Sequence, residues 1–328
     1  MKLDALLLRE LRSAAVHIPI GDLARDLCVS PAEVKAALAS LSAAGFEIEM
    51  KPGLGCRLLG SPDRLIADDL RARVGECGLA REILVFEETS STNDIAARMG
   101  RQGHPGGLVV FAERQTAGRG RFGRNWNSLS HAGLWFSILL RPEWPPARWV
   151  RLTTWAGVAV ASAVEREIGR HAQVKWPNDV LVDHRKVAGI LTECSTDASG
   201  RLFAVVGIGL NVNHEEFPPE LADRAASLRQ FAGRCIDRPA LAAAMLRDLD
   251  ARLAGVGDAF DRIIDEAAQR SSLLGTWVQF HAADAILEGN AEGLDADGNL
   301  MLRLADGTLR TMTAGEITTR TASVPHRQ

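Results

Sequence analysis

The chain has 328 residues, which is longer than one ordinary hydrophobic core requires and predicts two or three domains. Its hydrophobic fraction of 46% and charged fraction of 24% are typical of a soluble globular protein. The formal net charge of -3 argues against a protein that coats nucleic acid or membranes through overall charge alone.

The sequence also indicates the compartment. No apolar run reaches the ~20 residues that span a bilayer, and the N-terminal sequence MKLDALLLRELR carries acids that do not fit a signal peptide. The five cysteines are scattered without a C-x-x-C pair, which is typical of thiols in a reducing compartment. These features predict a cytoplasmic protein with no membrane partner.

Residues 1–65 have the pattern of a winged helix-turn-helix domain. Leucines recur at helical spacing in the first segment, and a short break precedes a helix with clear ends. Ser30 is a good N-cap, Pro31 suits the first helical position and Glu33 completes a capping box. The segments FEIEM and CRLL around the turn KPGLG then predict a β-hairpin.

The rest of the chain divides into three segments. Residues 66–81 are predicted to be a linker with some helix. Residues 82–270 alternate strands rich in β-branched residues with helices, which predicts an α/β domain with a mixed sheet. Residues 271–322 contain short strands separated by turns such as DADG, which predicts a small β-barrel. The fold class is therefore α+β and multi-domain.

The stretch GRGRFGRNW, residues 118–126, contains the spacing G-x-G-x-x-G of a dinucleotide-binding turn. Such a turn must follow a strand and open a helix, whereas the residues after Trp126 are strand-like. We therefore reject that interpretation. Two others stay open: a solvated basic turn, or a mobile loop whose glycines let it close and whose arginines bind a carboxylate or phosphate.

Two further stretches place polar residues at strand ends, where α/β folds bind ligands. In KWPNDVLVDHRKVAGILTE, Lys175 lies where a strand ends, and Lys186 begins the next strand after a hairpin turn. Asn211 and Asn213 close the apolar strand FAVVGIGLNVN. Each residue alone fits a surface or capping role equally well, but their coincidence with the arginine loop favours a binding site.

Four motifs closely resemble the biotin–protein ligases: ETSSTN at 88–93, AERQTAGRGRFGRNW at 112–126, KWPNDVLVDHRKVAGILTE at 175–193 and GIGLNVN at 207–213. Their order and spacing are similar to those of the family, and the resemblance covers nearly the whole chain. It implies a biotin/lipoate ligase catalytic fold like that of class II synthetases, followed by an SH3-like barrel. With the N-terminal winged helix, the chain resembles the bifunctional bacterial members that also repress biotin-synthesis genes.

The resemblance implies a two-step reaction with ATP and Mg²⁺. Biotin's carboxylate attacks the α-phosphate of ATP to give biotinyl-5′-AMP and pyrophosphate, and a lysine of a biotin carboxyl carrier protein then displaces AMP. Carboxylate and triphosphate repel each other, so the first step needs cations where they meet. No nucleophile on the enzyme is required. The metal ligands are not identified by the sequence.

The resemblance also implies roles for residues at matching positions. Lys175, Arg119 and Arg121 are the catalytic candidates, with Lys175 between biotin's carboxylate and the α-phosphate. The residues expected to contact biotin are Ser91, Thr92, Asn93, Gln115, Arg119, Gly120, Arg121 and Lys175. Those expected to contact the nucleotide are Arg124, Trp126, Lys186 and Asn211. Two alternatives stay open: a core role for Trp126, and capping of the next helix by Ser91 or Thr92.

DNA binding is less clearly encoded. Residues 1–60 hold seven basic and seven acidic side chains, and the predicted recognition helix has no Arg, Asn or Gln to read base edges. Lys35 on that helix and Lys51 and Arg57 in the wing are the candidate contacts to DNA. The architecture favours operator DNA as a partner, and the alternative is a winged helix kept for packing or for contacts in a homodimer.

Two other functions compete with biotin ligation. A lipoate–protein ligase would share the fold and a catalytic lysine, although GRGRFGR and KWPND favour biotin. A repressor could instead sense biotin without transferring it to a carrier protein. The oligomeric state and the operator sequence are not encoded in a readable way.

Overall fold

The N-terminal part folds as three helices and a hairpin in this computed structural model, which describes residues 2–281 and 286–319. Its elements are α1 (Leu3–Ser13), α2 (Ile20–Asp26), α3 (Pro31–Ala43), β1 (Glu47–Lys51) and β2 (Gly55–Gly60). The capping box is present: the Ser30 N–H donates to the Glu33 carboxylate at 2.8 Å, and the Glu33 N–H donates to the Ser30 hydroxyl at 3.2 Å. The helices and hairpin therefore lie where the sequence predicts them.

The segment predicted as a linker is packed structure. It contains helix α4 (Ala67–Val74), whose Leu70 and Val74 lie in the main hydrophobic core. Arg12 of α1 donates to Asp69 of α4 at 2.6 Å, so α4 also contacts the N-terminal helices. The domain limits at 65, 81 and 270 stay predictions, and the limit at 322 lies outside the described residues.

A seven-stranded mixed sheet forms the centre of the chain. Its strands are β3 (Glu82–Thr89), β4 (Leu108–Gln115), β5 (Gly133–Leu140), β6 (Gln173–Lys175), β7 (Asp179–Val182), β8 (Arg185–Thr196) and β9 (Leu202–Asn211). The order is β3-β4-β5-β9-β8-β7-β6; β3 and β4 are parallel, and all other neighbours are antiparallel. The mixed sheet predicted from the alternating elements is confirmed.

Helices cover both faces of this sheet. They are α5 (Thr92–Arg101), α6 (Arg151–Ile168), α7 (Leu228–Ala232), α8 (Arg238–Asp258) and α9 (Asp261–Gln269). Helix α6 is buried along most of its length and packs with α8 over one face, where Trp155 is fully buried. Helix α5 covers the other face through a smaller cluster that includes Ala96 and Phe203. The two layers leave the ends of β6 to β9 open to a cavity.

The C-terminal part is a five-stranded antiparallel sheet. Its strands are β10 (Trp277–His281), β11 (Ile286–Leu294), β12 (Leu300–Leu304), β13 (Leu309–Met312) and β14 (Glu316–Thr319), in the order β13-β12-β11-β10-β14. The turn between β11 and β12 contacts residues next to the seven-stranded sheet: the Trp176 indole N–H donates to the Gly298 carbonyl at 3.1 Å, and Arg151 donates to Asp297 at 2.8 Å. This sheet therefore lies beside the end of β6. Its closure into an SH3-like barrel stays a prediction.

Candidate ligand-binding site

A cavity of about 770 Å³ lies at the ends of β6 to β9, beneath the arginine loop. Its volume is in the range of small-molecule and cofactor sites. The structure brings together, on its wall, every residue predicted to contact biotin or nucleotide except Asn211: Ser91, Thr92, Asn93, Gln115, Arg119, Gly120, Arg121, Arg124, Trp126, Lys175 and Lys186. Segments distant in sequence therefore meet at one site.

One end of the cavity is built from uncharged polar groups. The Thr92 backbone N–H donates to Gln115 Oε1 at 2.8 Å, and the Gln115 amide donates to Ser128 at 2.9 Å. Ser137, on the neighbouring strand β5, shares a hydrogen bond of 2.7 Å with Thr92 and donates to Asn93 Oδ1 at 2.6 Å. These bonds hold amide and hydroxyl groups in fixed orientations at the start of α5. Ser137 was missed by the sequence reasoning because it lies within an apolar strand.

Glycines on β8 and β9 allow side chains to approach the sheet closely. A Cβ at Gly207 would lie 2.2 Å from Asn93 Oδ1, and one at Gly209 would lie 2.6 Å from the Trp126 ring. Larger residues at these positions would displace Asn93 and Trp126. The sequence carried a signal for this in GIGL, where two glycines occupy the same face of a strand.

The arginine loop is folded back on itself. The Gly120 N–H donates to the Arg124 carbonyl at 2.7 Å, and the Trp126 N–H donates to the Gly118 carbonyl at 2.9 Å. Phe122, at its tip, has φ +56 and is 65% exposed. A positive φ is costly for an aromatic residue. The only helical turn in this described stretch is a short 3₁₀ turn at Arg121–Gly123, and the next element after it is strand β5, in agreement with the rejection of a dinucleotide turn.

The two arginines predicted to be catalytic have different surroundings. Arg119 donates to Asp94 at 2.7 Å and to Glu193 at 3.4 Å, so the protein's own carboxylates engage it. The hydrogen bond that it donates to Asp94 holds the pKa of Arg119 above its ordinary value. Arg121 is half-buried and lies 4.9 Å from the Phe122 ring centroid. Burial lowers the pKa of Arg121. Neither Asp94 nor Glu193 was predicted as a partner of the loop.

The two lysines also differ. Lys175 is half-buried at the end of β6, and in the described part of the chain no ion pair engages its ammonium. Lys186 pairs with Asp179 at 2.6 Å, and its Nζ lies 5.1 Å from the Trp126 ring centroid. Trp126 is half-buried, and its ring contacts Trp135 edge-on. The ring also lines the cavity, so it is available to a ligand.

Two further segments complete the wall. Leu221, Arg224 and Ala225 come from the segment between β9 and α7, which is joined to β8 by a hydrogen bond of 2.7 Å from the Lys186 N–H to the Arg224 carbonyl. The C-terminal sheet contributes Gly315 to Thr318, and Glu316 forms an ion pair with Arg124. The sequence reasoning assigned no ligand-site role to either segment.

The structure does not place Asn211 on the cavity wall. Asn211 is 5% exposed, and its amide donates to the Ala226 carbonyl at 3.2 Å. The neighbouring Asn213 likewise binds backbone groups, accepting from the Ile236 N–H at 2.9 Å. Both asparagines therefore fix the segment that follows β9, which is a structural role that a polar strand end also permits.

The candidate DNA contacts lie on the surface of the N-terminal part. Lys35 is exposed on α3, and Arg57 is exposed on β2. Lys51 forms an ion pair of 3.2 Å with Glu49, which stands opposite Arg57 in the hairpin. The wing thus presents mixed charge, in agreement with the even count of acids and bases.

The cavity combines three environments that suit one ligand. An uncharged polar end satisfies a neutral hydrogen-bonding group, Arg121 and Lys175 offer positive charge to anions, and Trp126 with Lys186 offers an aromatic face beside a cation. Fixed cations stabilise negative charge that develops during a reaction. Within the described residues, no helix is long and apolar enough to cross a membrane.

Comparisons with known proteins show what the chain is similar to. Residues 85–213 match the model of the biotin/lipoate A/B protein ligase family, and residues 274–320 match that of the biotin protein ligase C terminal domain. The bifunctional ligase/repressor BirA of Bacillus subtilis is 33% identical over 266 residues, covering 80% of this chain and 82% of the relative. The biotin–[acetyl-CoA-carboxylase] ligase of Mycobacterium tuberculosis is 34% identical over 245 residues, covering 72% and 88%.

A solved structure is similar over the same region. The biotin protein ligase of Aquifex aeolicus in complex with biotin and ATP matches with a TM-score of 0.65 and 30% sequence identity. The match covers 73% of this chain and 99% of that protein.

Proposed function

The chain belongs to the biotin/lipoate A/B protein ligase family, and we propose that it activates biotin with ATP and transfers the biotinyl group to a lysine of a biotin carboxyl carrier protein. The carrier would be the subunit of acetyl-CoA carboxylase, as the name of the Mycobacterium tuberculosis relative indicates for that protein. The observation that carries the proposal is one cavity that joins a neutral polar end to two cations and an aromatic face.

Each environment fits one part of the substrates. The ureido group of biotin has N–H donors and a carbonyl acceptor, which are complementary in type to the amide and hydroxyl groups of Thr92, Asn93 and Gln115 on the cavity wall. Arg121 and Lys175 would then meet the carboxylate and the α-phosphate. Trp126 and Lys186 would receive the nucleotide, the ring by stacking and the ammonium by charge.

The first step follows from this placement. A carboxylate oxygen of biotin bonds to the α-phosphorus, the bond to the bridging oxygen breaks, and pyrophosphate leaves with the electron pair. Both reactants are anions, so Lys175 and Arg121 would lower their repulsion and stabilise the charge on the transferred group. In the second step the lysine amine bonds to the acyl carbon, and AMP leaves.

Mg²⁺ would enter with the triphosphate. This ion usually keeps several waters and binds through phosphates with one or two carboxylates. Asp179 and Glu316 are the carboxylates on the cavity wall, and both are ion-paired, with Lys186 and Arg124 respectively. No cluster of three or more His, Cys, Asp or Glu suited to a metal occurs in residues 2–281 and 286–319. We therefore assign the ion to the phosphates and name no protein ligand.

One assay separates the ligase from its two alternatives. The protein is incubated with ATP, Mg²⁺ and labelled biotin or lipoate, with and without a carrier domain. Label transferred from biotin to the carrier supports the proposal. Biotinyl-5′-AMP formed without transfer would indicate a biotin sensor, and a preference for lipoate would indicate a lipoate–protein ligase.

The N-terminal part supports a second function, biotin-responsive repression. Its helix α3 exposes Lys35 beside the hairpin, and the Bacillus subtilis relative is named a ligase/repressor. We propose that this part binds operator DNA, with Lys35, Lys51 and Arg57 facing the duplex. A homodimer and a cytoplasmic location belong to the same proposal.

DNA binding has a direct test. Binding to the protein's own biotin-operon DNA should increase with biotin and ATP and should weaken as salt rises, because phosphate contacts release counterions. The variant Lys35→Ala should bind less tightly, while Lys2→Ala serves as a control. The absence of ligand-stimulated binding at low salt would contradict the proposal.

A further inference from the structure

A second, smaller cavity of about 120 Å³ adjoins the first where the C-terminal sheet meets the catalytic part. We name it the threonine slot, after the polar residues that distinguish it: Thr153, Thr154, Thr192, Thr313 and Asn299. It shares Arg121, Pro177 and Asn178 with the main cavity, together with part of β8 at Ile190 and Leu191. The two cavities therefore lie on either side of the same catalytic arginine.

The slot is polar but almost uncharged. Among the described residues that line it, Arg121 alone carries a charge. Thr153 and Thr192 share a hydrogen bond of 2.9 Å. Asn299 is 8% exposed; its amide N–H donates to Asp295 at 3.0 Å, while its Oδ1 is buried and has no partner in the described part of the chain. A buried polar atom without a partner is costly, which indicates a further donor at this place.

We propose that the threonine slot admits the side chain of the acceptor lysine to the acyl carbon of the biotinyl adenylate. This inference rests on the proposed function, since it assigns the route by which the second substrate enters. The main cavity is expected to hold biotin and AMP, so the amine must arrive through another opening. The slot opens beside Arg121, where the carboxyl carbon of biotin is expected to lie.

The lining of the slot favours the reactive form of the amine. A lysine amine has a pKa near 10.4 in water and is a nucleophile only when neutral. A carboxylate beside the amine would stabilise its charged form and raise that pKa. Among the described residues that line the slot, none is a carboxylate. Threonine hydroxyls and the Asn299 carbonyl can accept the N–H groups of a neutral amine.

The chemical step balances without another reactant. The lysine nitrogen bonds to the acyl carbon of the mixed anhydride, and the bond from that carbon to the phosphate oxygen breaks. AMP leaves with the electron pair, and the proton lost by the amine passes to solvent. The slot holds the amine in position and keeps carboxylates away from it, but it does not supply a base.

The test fills the slot from its exposed side. Thr313 is exposed and lines the slot, whereas Thr311, two residues earlier on the same C-terminal sheet, is exposed and does not line it. Thr313→Trp and the control Thr311→Trp are each loaded with biotin and ATP. Adenylate formation is measured first. Transfer of the biotinyl group is then followed in a single turnover, to a carrier domain and separately to n-butylamine, which mimics the lysine side chain.

Thr313→Trp should form biotinyl-5′-AMP at the wild-type rate and transfer it roughly 10- to 100-fold more slowly to both acceptors, because small displacements of a reacting group have effects of this size. Loss with n-butylamine shows that carrier docking is not the cause. The paired change Thr153→Val with Thr192→Val, which removes the hydroxyls with little change of shape, should also slow transfer and spare adenylate formation.

Three results would overturn the inference. Transfer by Thr313→Trp at the rate of Thr311→Trp would show that the lysine enters elsewhere. An equal loss of adenylate formation would assign the slot to the first step. If the wild-type protein forms no adenylate, the proposed function itself fails, and the lysine has no acyl carbon to attack.

Discussion

Arg238 is a fully buried charge that joins three segments of the chain near the site. Its side chain is 0% exposed, and its guanidinium donates to Glu113 at 2.6 Å and to Asp63 at 2.9 Å. Glu113 is also 0% exposed and lies on β4, two residues before Gln115 of the polar network. The ion pairs thus join α8 to β4 and to Asp63, which lies between β2 and α4.

Replacing Arg238 with Met should reduce the free energy of unfolding by about 3–5 kcal/mol, because removing one partner leaves the other charge buried and unpaired. In Arg238→Met the Glu113 carboxylate would keep the Leu65 N–H at 2.7 Å and the His131 ring at 3.3 Å, both weaker substitutes for a guanidinium. Chemical unfolding is followed through tryptophan fluorescence in the wild type, Arg238→Met, and the double variant Arg238→Met with Glu113→Leu.

The double variant should be more stable than Arg238→Met alone, since an apolar pair of similar volume removes the stranded charge. A loss below about 1 kcal/mol in Arg238→Met, the range of an exposed pair, would refute this reasoning. So would a double variant that is less stable than Arg238→Met alone.

Three further predictions concern a glycine of the cavity wall, a buried histidine and the arginine loop. Gly207→Ala should weaken biotin binding by roughly tenfold or more, because its Cβ would lie 2.2 Å from Asn93 Oδ1; calorimetry should show no such loss in Gly255→Ala, whose Cβ has its nearest neighbour at 3.8 Å. Burial lowers the pKa of His214 to about 4, so the unfolded chain binds the proton first and stability is lost as pH falls from about 6.5 towards 4. Unfolding curves of His214→Phe should therefore be less sensitive to acid than those of the wild type, and parallel curves would contradict this. Biotinyl-5′-AMP should slow tryptic cleavage within residues 118–124, since loop closure shields a hydrolysable anhydride; equal cleavage with and without it would count against closure.

Local signals predicted much of the fold. The capping box at Ser30 and Glu33 placed helix α3 correctly, and the absence of a helix after Trp126 rejected the dinucleotide turn. The motifs placed Lys175 and Arg121 on one cavity because each lies at the end of a strand or in the loop beside it. These features depend on neighbouring residues, so a single sequence contains them.

Long-range packing explains what the sequence did not predict. Asn211 ends a strand as a ligand residue would, but the Ala226 carbonyl, fifteen residues away, binds its amide. Arg119 looks available to a ligand until α5 and β8 bring Asp94 and Glu193 to it. Residues 66–81 were predicted to be a linker with some helix. The packing of α4 was missed because its apolar residues contact β3 and α8, which follow later in the chain. Contacts between residues distant in sequence leave no periodic pattern in the local sequence.

The most direct test of the central claim is the rate of adenylate formation in Lys175→Ala. Single-turnover synthesis of biotinyl-5′-AMP is measured in this variant, in the wild type and in the control Lys51→Ala, which removes an exposed lysine in the N-terminal hairpin. The rate of adenylate formation should be roughly 10²–10³ lower in Lys175→Ala, which is the usual effect of losing one charge-stabilising donor. This variant should unfold at the same denaturant concentration as the wild type. Synthesis at the wild-type rate by Lys175→Ala would contradict the assignment of this lysine to the reacting carboxylate and phosphate.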